Sequence, residues 1–88
     1  MITVYVIESL TDKTWYTGMA LEVNSRLKEH NAGKNRFTKG HRPWKIIYTE
    51  QLPDWATARK KEKYLKTAAG KLRLVKYLEN GCAGSLPA

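Results

Sequence analysis

The first seventeen residues constrain the fold most, because they carry the pattern of a β-hairpin. Residues 2–8 are rich in β-branched and aromatic side chains, residues 11–13 make a polar turn, and residues 14–17 return to strand formers. A further strand-like run, residues 44–50, follows Pro43. We expect this third strand to join the hairpin in one antiparallel sheet.

Three later segments carry the apolar spacing of helices. The first is residues 21–31, with Gly33 as the stop. Asp54 is a candidate N-cap for the second, which is expected to run to about residue 67 and to be broken by Gly70. A third helix is predicted over residues 71–79.

The remaining segments are predicted to be irregular. Residues 32–42, which are rich in glycine and polar side chains, are predicted to form a loop. Asn80 and Gly81 supply a stop for the last helix. The expected fold class is α+β, a small three-stranded antiparallel sheet flanked by three helices. A chain of 88 residues has room for one domain, assigned to residues 1–80, with a flexible tail over residues 81–88.

The charge surplus is concentrated in two tracts. Lys and Arg number 16 against 8 Asp and Glu; residues 31–49 contain no acid, and eight basic residues surround Glu62 between residues 59 and 76. Nucleic acid is the partner such clusters favour, ahead of an anionic membrane surface or a merely solvated face. The basic side chains expected to contact phosphates are Lys34, Arg36, Lys39 and Arg42.

The sequence shows no clear sign of membrane insertion, secretion or cysteine chemistry. No apolar run approaches the roughly 20 residues of a membrane span, and the first residues lack the pattern of a secretory signal. We therefore expect no membrane partner and a cytoplasmic location, nucleoid-associated in a bacterium. Cys82 is the only cysteine and is interpreted as inert.

Glu62 is out of place on its predicted helix. A helical wheel puts Trp55, Ala58, Glu62 and Leu65 in one narrow stripe. If that stripe faces the sheet, the carboxylate needs a cation, a hydrogen-bond donor or a metal ion, because burying it alone costs several kcal/mol. An internal Arg or Lys is the plain alternative to a metal.

Five further residues can share a site with that helix. Arg26 and His30 are four apart on the first helix, and the hairpin can bring Tyr5 and Tyr16 together with their hydroxyls free. Gly18, at the expected change from strand to helix, would let a phosphate approach the backbone. Taken singly, each tyrosine is more often a core-packing residue, and Gly18 is an ordinary turn glycine.

The order of these motifs resembles the GIY-YIG endonuclease superfamily. Thr-Val-Tyr at residues 3–5, Trp-Tyr-Thr-Gly at 15–18, Arg-Leu-Lys-Glu-His-Asn at 26–31, and Glu62 with Lys66 fall in the family's register. The match extends over about residues 2–79. It is most similar to the compact single-domain group related to the nuclease module of the bacterial excision-repair endonuclease, whose fold is a three-stranded antiparallel sheet flanked by helices.

The resemblance implies a role for each residue. Glu62 would hold one divalent cation, Mg²⁺ or Mn²⁺, and Tyr16 would act as base toward water, helped by nearby positive charge. Arg26 would bind the phosphate; His30 would relay a proton or hold the nucleophile, and Tyr5 would orient water or complete the hydrogen-bond network. The implied reaction is hydrolysis of structured or damaged DNA that leaves 5′-phosphate and 3′-hydroxyl ends, with a protein partner or a homodimer selecting the substrate.

The sequence departs from the family pattern at three places. Val4 and Thr17 replace the isoleucines of the two motifs, and Met19 stands where excision-repair members carry lysine. Two other functions therefore stay open: a nucleic-acid-binding module that kept the scaffold without the chemistry, and a basic interaction protein such as a ribosome-associated factor.

Overall fold

The computed structural model describes residues 1–79, so the proposed tail and the Asn80–Gly81 stop lie outside the described residues. Within them the chain forms three strands and four helices. In chain order these are β1 (Ile2–Ser9), β2 (Trp15–Ala20), α1 (Val23–Asn31), α2 (Arg36–Lys39), β3 (Trp44–Leu52), α3 (Trp55–Leu65) and α4 (Ala68–Glu79).

The strands form one antiparallel sheet in the order β2-β1-β3, which confirms the expected α+β fold. β1 is the central strand, and its side chains alternate between two packed faces. Val4 and Val6 pack with Tyr48, α3 and α4 on one face. Tyr5 and Ile7 lie on the other face, against α1 and Trp44. Because β1 pairs with both other strands, β2 and β3 are the two edges of the sheet.

The segment predicted to be a loop contains a short helix. Asn35 caps α2, since its side-chain oxygen accepts from the backbone N–H groups of Phe37 and Thr38. Thr38 is fully buried and accepts an indole hydrogen bond from Trp44 through its carbonyl. α2 is the helix that the sequence did not predict, because four residues are too few to show a helical period.

The expected break at Gly70 is wrong. α3 ends at Leu65, and Thr67 begins the next helix because its hydroxyl accepts from the backbone N–H of Gly70. Gly70 lies in the first turn of α4, where a Cβ would overlap the carbonyl of Tyr64. The glycine therefore allows two helices to meet closely. The predicted cap of α3 at Asp54 is confirmed.

The predicted stripe of α3 is partly wrong. Ala58 and Leu65 are buried as expected, but Trp55 is 52% exposed. The charged residue that α3 buries is Lys61, whose Nζ lies 3.4 Å from the Glu50 carboxylate on β3. The internal lysine considered as a partner for Glu62 therefore exists, and it pairs with a different acid.

None of the helices within residues 1–79 combines the length and the apolar character needed to cross a bilayer.

Candidate active site

Tyr5 and His30 form the centre of a buried hydrogen-bonded chain. The Tyr5 hydroxyl lies 2.9 Å from His30 Nε2, and His30 Nδ1 lies 2.8 Å from the Thr38 hydroxyl. Tyr5 and His30 are each 2% exposed. The expectation that both tyrosine hydroxyls are free is therefore wrong for Tyr5, whose hydroxyl links the sheet to α1.

Gly18 makes room for that tyrosine. It pairs with Tyr5 across the β1–β2 ladder, and a Cβ at Gly18 would lie 2.6 Å from the Tyr5 hydroxyl. The expectation that the strand ends at Gly18 is wrong, because β2 continues to Ala20. Gly18 is buried, and the group that approaches it closely is the phenol. Phosphate contact at this glycine stays a prediction.

Tyr16 completes an aromatic cluster at the edge of the sheet. Its ring centroid lies 6.5 Å from that of Tyr5 and 5.0 Å from that of His30. Unlike those two side chains, Tyr16 is only partly buried. The proximity of the two tyrosines follows from the hairpin, as predicted, and Tyr16 is the member that bound substrate can touch.

Burial fixes the charge states at the centre of the cluster. Burial, with a smaller contribution from Tyr16, raises the pKa of the Tyr5 hydroxyl well above its usual range. Burial and the nearby Arg26 guanidinium lower the pKa of the His30 imidazole. At neutral pH Tyr5 is therefore a neutral phenol and His30 a neutral imidazole, which donates from one nitrogen and accepts at the other.

Arg26 lies at the mouth of a small cleft beside His30. The cleft has a volume of about 90 Å³ and is also lined by Glu29, Lys34 and Asn35. The side chain of Arg26 is 47% exposed, and its guanidinium donates to Glu29 over 3.4 Å. Such an exposed, long ion pair is worth little, so an incoming phosphate can displace Glu29.

Glu62 comes from the other face of the sheet. Its side chain is 15% exposed and pairs with Lys66 one turn later, over 3.0 Å. Lys66 lines one groove with Tyr16 at the β2 edge, and the Glu62 charge contributes to raising the pKa of Tyr5. Glu62 is thus mostly withdrawn from solvent, near the cluster but without a direct hydrogen bond to it.

The carboxylates in this region can supply a metal ion with one protein ligand. Within residues 1–79 no three His, Cys, Asp or Glu side chains come together as a metal cage. One carboxylate is nevertheless enough for a hard ion such as Mg²⁺, which commonly keeps several waters and uses one or two carboxylates plus substrate phosphates. Glu62 is the residue that fits this description, provided that Lys66 moves aside.

The four basic residues predicted to bind phosphates lie on α2 and in the segments that flank it. Lys34 lines the cleft of Arg26, Arg36 and Lys39 lie on α2, and Arg42 donates from Nε to the Lys39 carbonyl. All four are solvent-accessible, and none forms an ion pair with another residue of the described chain. Their nucleic-acid contacts stay a prediction.

Three positioning residues escaped the sequence reasoning. Thr38 holds His30, and Asn31 ties α1 to the sheet by accepting from the backbone N–H of Trp44 and donating to its carbonyl. Phe37 stacks beside Tyr16, with ring centroids 6.0 Å apart. The Asn-x-x-Thr spacing at residues 35–38 suits a capped turn and signals the segment that carries Phe37 and Thr38, whereas Asn31 is the last residue of the motif at residues 26–31.

With this geometry established, comparison with known proteins shows the class. The family model of the GIY-YIG catalytic domain matches residues 1–77, and the chain belongs to the GIY-YIG nuclease superfamily. Its relatives include a UPF0213 protein of Syntrophus aciditrophicus, 39% identical and covering 83% of this chain and 87% of that one. Another is a UPF0213 protein of Staphylococcus aureus, 38% identical and covering 83% and 92%.

A solved structure agrees with this assignment. The solution NMR structure of a UPF0213 protein from Bacillus halodurans is similar with a TM-score of 0.53 and 32% sequence identity, covering 86% of this chain and 84% of that one. The resemblance inferred from the motifs is thereby confirmed at the level of the superfamily and the fold.

Proposed function

We propose that this protein is a metal-dependent endonuclease that hydrolyses DNA phosphodiester bonds, in structured or damaged DNA, and leaves 5′-phosphate and 3′-hydroxyl ends. The observation that carries the proposal is the buried Tyr5–His30–Thr38 chain, with Tyr16 and Arg26 on its solvent-facing side. A satisfied buried network of this kind also rigidifies a core, and the exposure of Tyr16 and Arg26 beside it is what favours a reacting site. A reacting site needs such fixed polar groups.

Arg26 and Tyr16 are the groups that can touch substrate. Arg26 presents a planar guanidinium to the non-bridging phosphate oxygens and stabilises the charge that develops during in-line attack. Tyr16, in its deprotonated form, would accept the proton of the attacking water and become the neutral phenol. Its ring centroid lies 5.0 Å from that of His30, and the residue lines the groove at the β2 edge.

Tyr5 and His30 lie beneath Arg26 and Tyr16 and would hold them in position. Because a neutral imidazole donates at one nitrogen and accepts at the other, the chain runs in one direction. When the Thr38 hydroxyl donates to Nδ1, Nε2–H donates to the Tyr5 oxygen, and the phenolic proton of Tyr5 is left to bond a water or Tyr16. The raised pKa of Tyr5 makes the neutral phenol its resting form, so its role is to orient.

Glu62 is the residue proposed to hold one Mg²⁺ or Mn²⁺. A bound divalent ion would neutralise charge on the phosphate and stabilise the leaving oxygen. The basic residues around α2 would then hold the flanking DNA through its phosphates, without reading bases. Substrate choice would come from DNA structure, from a protein partner or from a second copy of the chain.

One observation favours a second candidate, a nucleic-acid-binding module without cleavage activity. Glu62 is neutralised by Lys66 one turn later, so a cation must compete with an existing 3.0 Å ion pair. A scaffold that had lost its metal could retain such a pair and still bind phosphates.

The test is an activity assay on a panel of single-stranded, nicked, flapped and branched DNA, with Mg²⁺, Mn²⁺ or EDTA. The proposal predicts cleavage that requires the metal, and products whose 5′ ends carry phosphate and can be joined by DNA ligase. Salt-sensitive binding with no cleavage of any substrate would establish the second candidate instead.

A further inference from the structure

A groove beside Tyr16 extends past the residues assigned to hydrolysis. It runs along the free edge of β2 and has a volume of about 220 Å³. Its lining is aromatic and basic: Trp15, Tyr16, Thr17, Phe37, Lys66 and Lys71. Pockets for drug-sized ligands measure roughly 300–1,000 Å³, so this groove suits a single ring system.

Phe37 is the unusual member of the groove. It is 52% exposed on α2, between Arg36 and Lys39, although a phenylalanine is among the side chains that gain most from burial. Its ring stacks beside Tyr16 at an interplanar angle of 30° and also contacts the His41 ring, with centroids 5.2 Å apart, so the half of its surface that stays exposed is the part a base can contact. An exposed aromatic face flanked by cations is the arrangement with which proteins bind unstacked bases.

The two lysines approach the groove from the opposite face of the sheet. Lys66 follows the end of α3 and Lys71 lies in α4, and both are exposed. A base stacked against Phe37 would therefore have positive charge on both sides of its backbone. Tyr16 belongs both to this groove and to the aromatic cluster, so the phosphate of that nucleotide would lie next to the reacting position.

We propose that this groove binds one unpaired nucleobase, beside the scissile phosphate, by stacking on Phe37, with Lys66 and Lys71 contacting the adjoining phosphates. A paired base is stacked on both sides in a duplex and cannot enter a groove at a sheet edge, so the strand that is cut must be unpaired or distorted there. The position of the cut beside this base rests on the proposed function, whereas binding of the base can be measured without it.

The experiment measures binding in EDTA, where no metal-dependent cleavage occurs. The probe is a short single-stranded DNA carrying one 2-aminopurine, whose fluorescence is quenched on stacking, compared with the same strand in a duplex. The variants are Phe37→Ala, the conservative Phe37→Trp, and Trp55→Ala as the matched control, since Trp55 is equally exposed at 52% and lies outside the groove.

Wild type is expected to quench the single-stranded probe and not the duplex. Because stacking on one aromatic residue is worth about 1–3 kcal/mol per base, Phe37→Ala should weaken binding by about 5- to 150-fold and abolish the quenching. Phe37→Trp and Trp55→Ala should bind as wild type does. Lys71→Ala should lower the slope of log affinity against log salt by about 0.7.

The inference is overturned if Phe37→Ala quenches and binds like wild type, or if Trp55→Ala loses as much affinity. Either result would leave the endonuclease proposal standing, because cleavage is assayed separately with Mg²⁺. Conversely, stacking that depends on Phe37 in a protein that never cuts DNA would refute the endonuclease and retain the base-binding groove.

Discussion

Replacing Gly18 by alanine tests whether the buried tyrosine is held by close packing on this glycine. The new Cβ would lie 2.6 Å from the Tyr5 hydroxyl and 2.7 Å from its Cζ, so the ring must move away from His30. Overpacking of this kind costs about 1–3 kcal/mol, and losing the Tyr5–His30 hydrogen bond costs about 0.5–1.5 kcal/mol. The lower entropy of the unfolded alanine chain returns about 0.4–1 kcal/mol.

These ranges sum to a net loss of about 0.5–4 kcal/mol, centred near 2 kcal/mol, and for a domain of this size the central value lowers the melting temperature by about 8–16 °C. Thermal unfolding followed by circular dichroism measures it. Gly40→Ala is the matched control: nothing lies within 4 Å of its Cβ position, and its backbone is right-handed helical. A Gly18→Ala protein that melts within about 2 °C of wild type would refute the packing of Tyr5 on Gly18.

Three further predictions concern titration, a buried ion pair and the basic surface. Because the pKa of His30 is lowered in the folded protein, the unfolded chain takes up this proton first as the pH falls, so the stability is complete above pH about 6.5 and decreases below it. His30→Gln should flatten the dependence of the urea midpoint on pH in this range. An unchanged dependence would contradict the assignment. Lys61→Met removes the cation beside Glu50 and leaves its carboxylate with the hydrogen bond from the Tyr48 hydroxyl, so the cost in urea unfolding should lie at the low end of the range for a broken buried pair, about 3 kcal/mol. The double variant with Glu50→Gln should cost less than the sum of its parts, and simple additivity would argue against the pair. Neutralising Lys34, Arg36 or Lys39 should lower the slope of log affinity against log salt for duplex DNA by about 0.9 for each residue that contacts a phosphate. An unchanged slope would show that DNA binds elsewhere.

The strand pattern made much of this architecture predictable. Alternation in β1 and the polar turn after it specify a hairpin, and a hairpin of this length brings Tyr5 and Tyr16 together whatever the rest of the chain does. The N-cap at Asp54 was likewise predictable, because its signal is local. Local patterns thus predicted the strands, the long helices and the pair of rings.

Long-range pairing accounts for what the sequence could not reveal. On α3, Ala58, Lys61 and Leu65 are as regularly spaced as Ala58, Glu62 and Leu65, so a helical wheel cannot decide which of the two charges is buried more deeply. The choice is made by Glu50, which lies on β3 and offers Lys61 a buried partner. The hydrogen bond of His30 to Thr38 was hidden for a related reason, since it depends on a helix of four residues.

The proposed metal-dependent hydrolysis depends on Glu62, and the most direct measurement compares Glu62→Gln with wild type over a titration of Mg²⁺ on a cleaved DNA substrate. Glu79→Gln, which removes an exposed carboxylate at the end of α4, is the control for lost charge alone. We predict that Glu62→Gln lowers the cleavage rate by about 10²–10³, as removal of one electrostatic stabiliser commonly does, while Glu79→Gln cleaves normally. Cleavage by Glu62→Gln at the wild-type rate, with the same dependence on Mg²⁺, would contradict it.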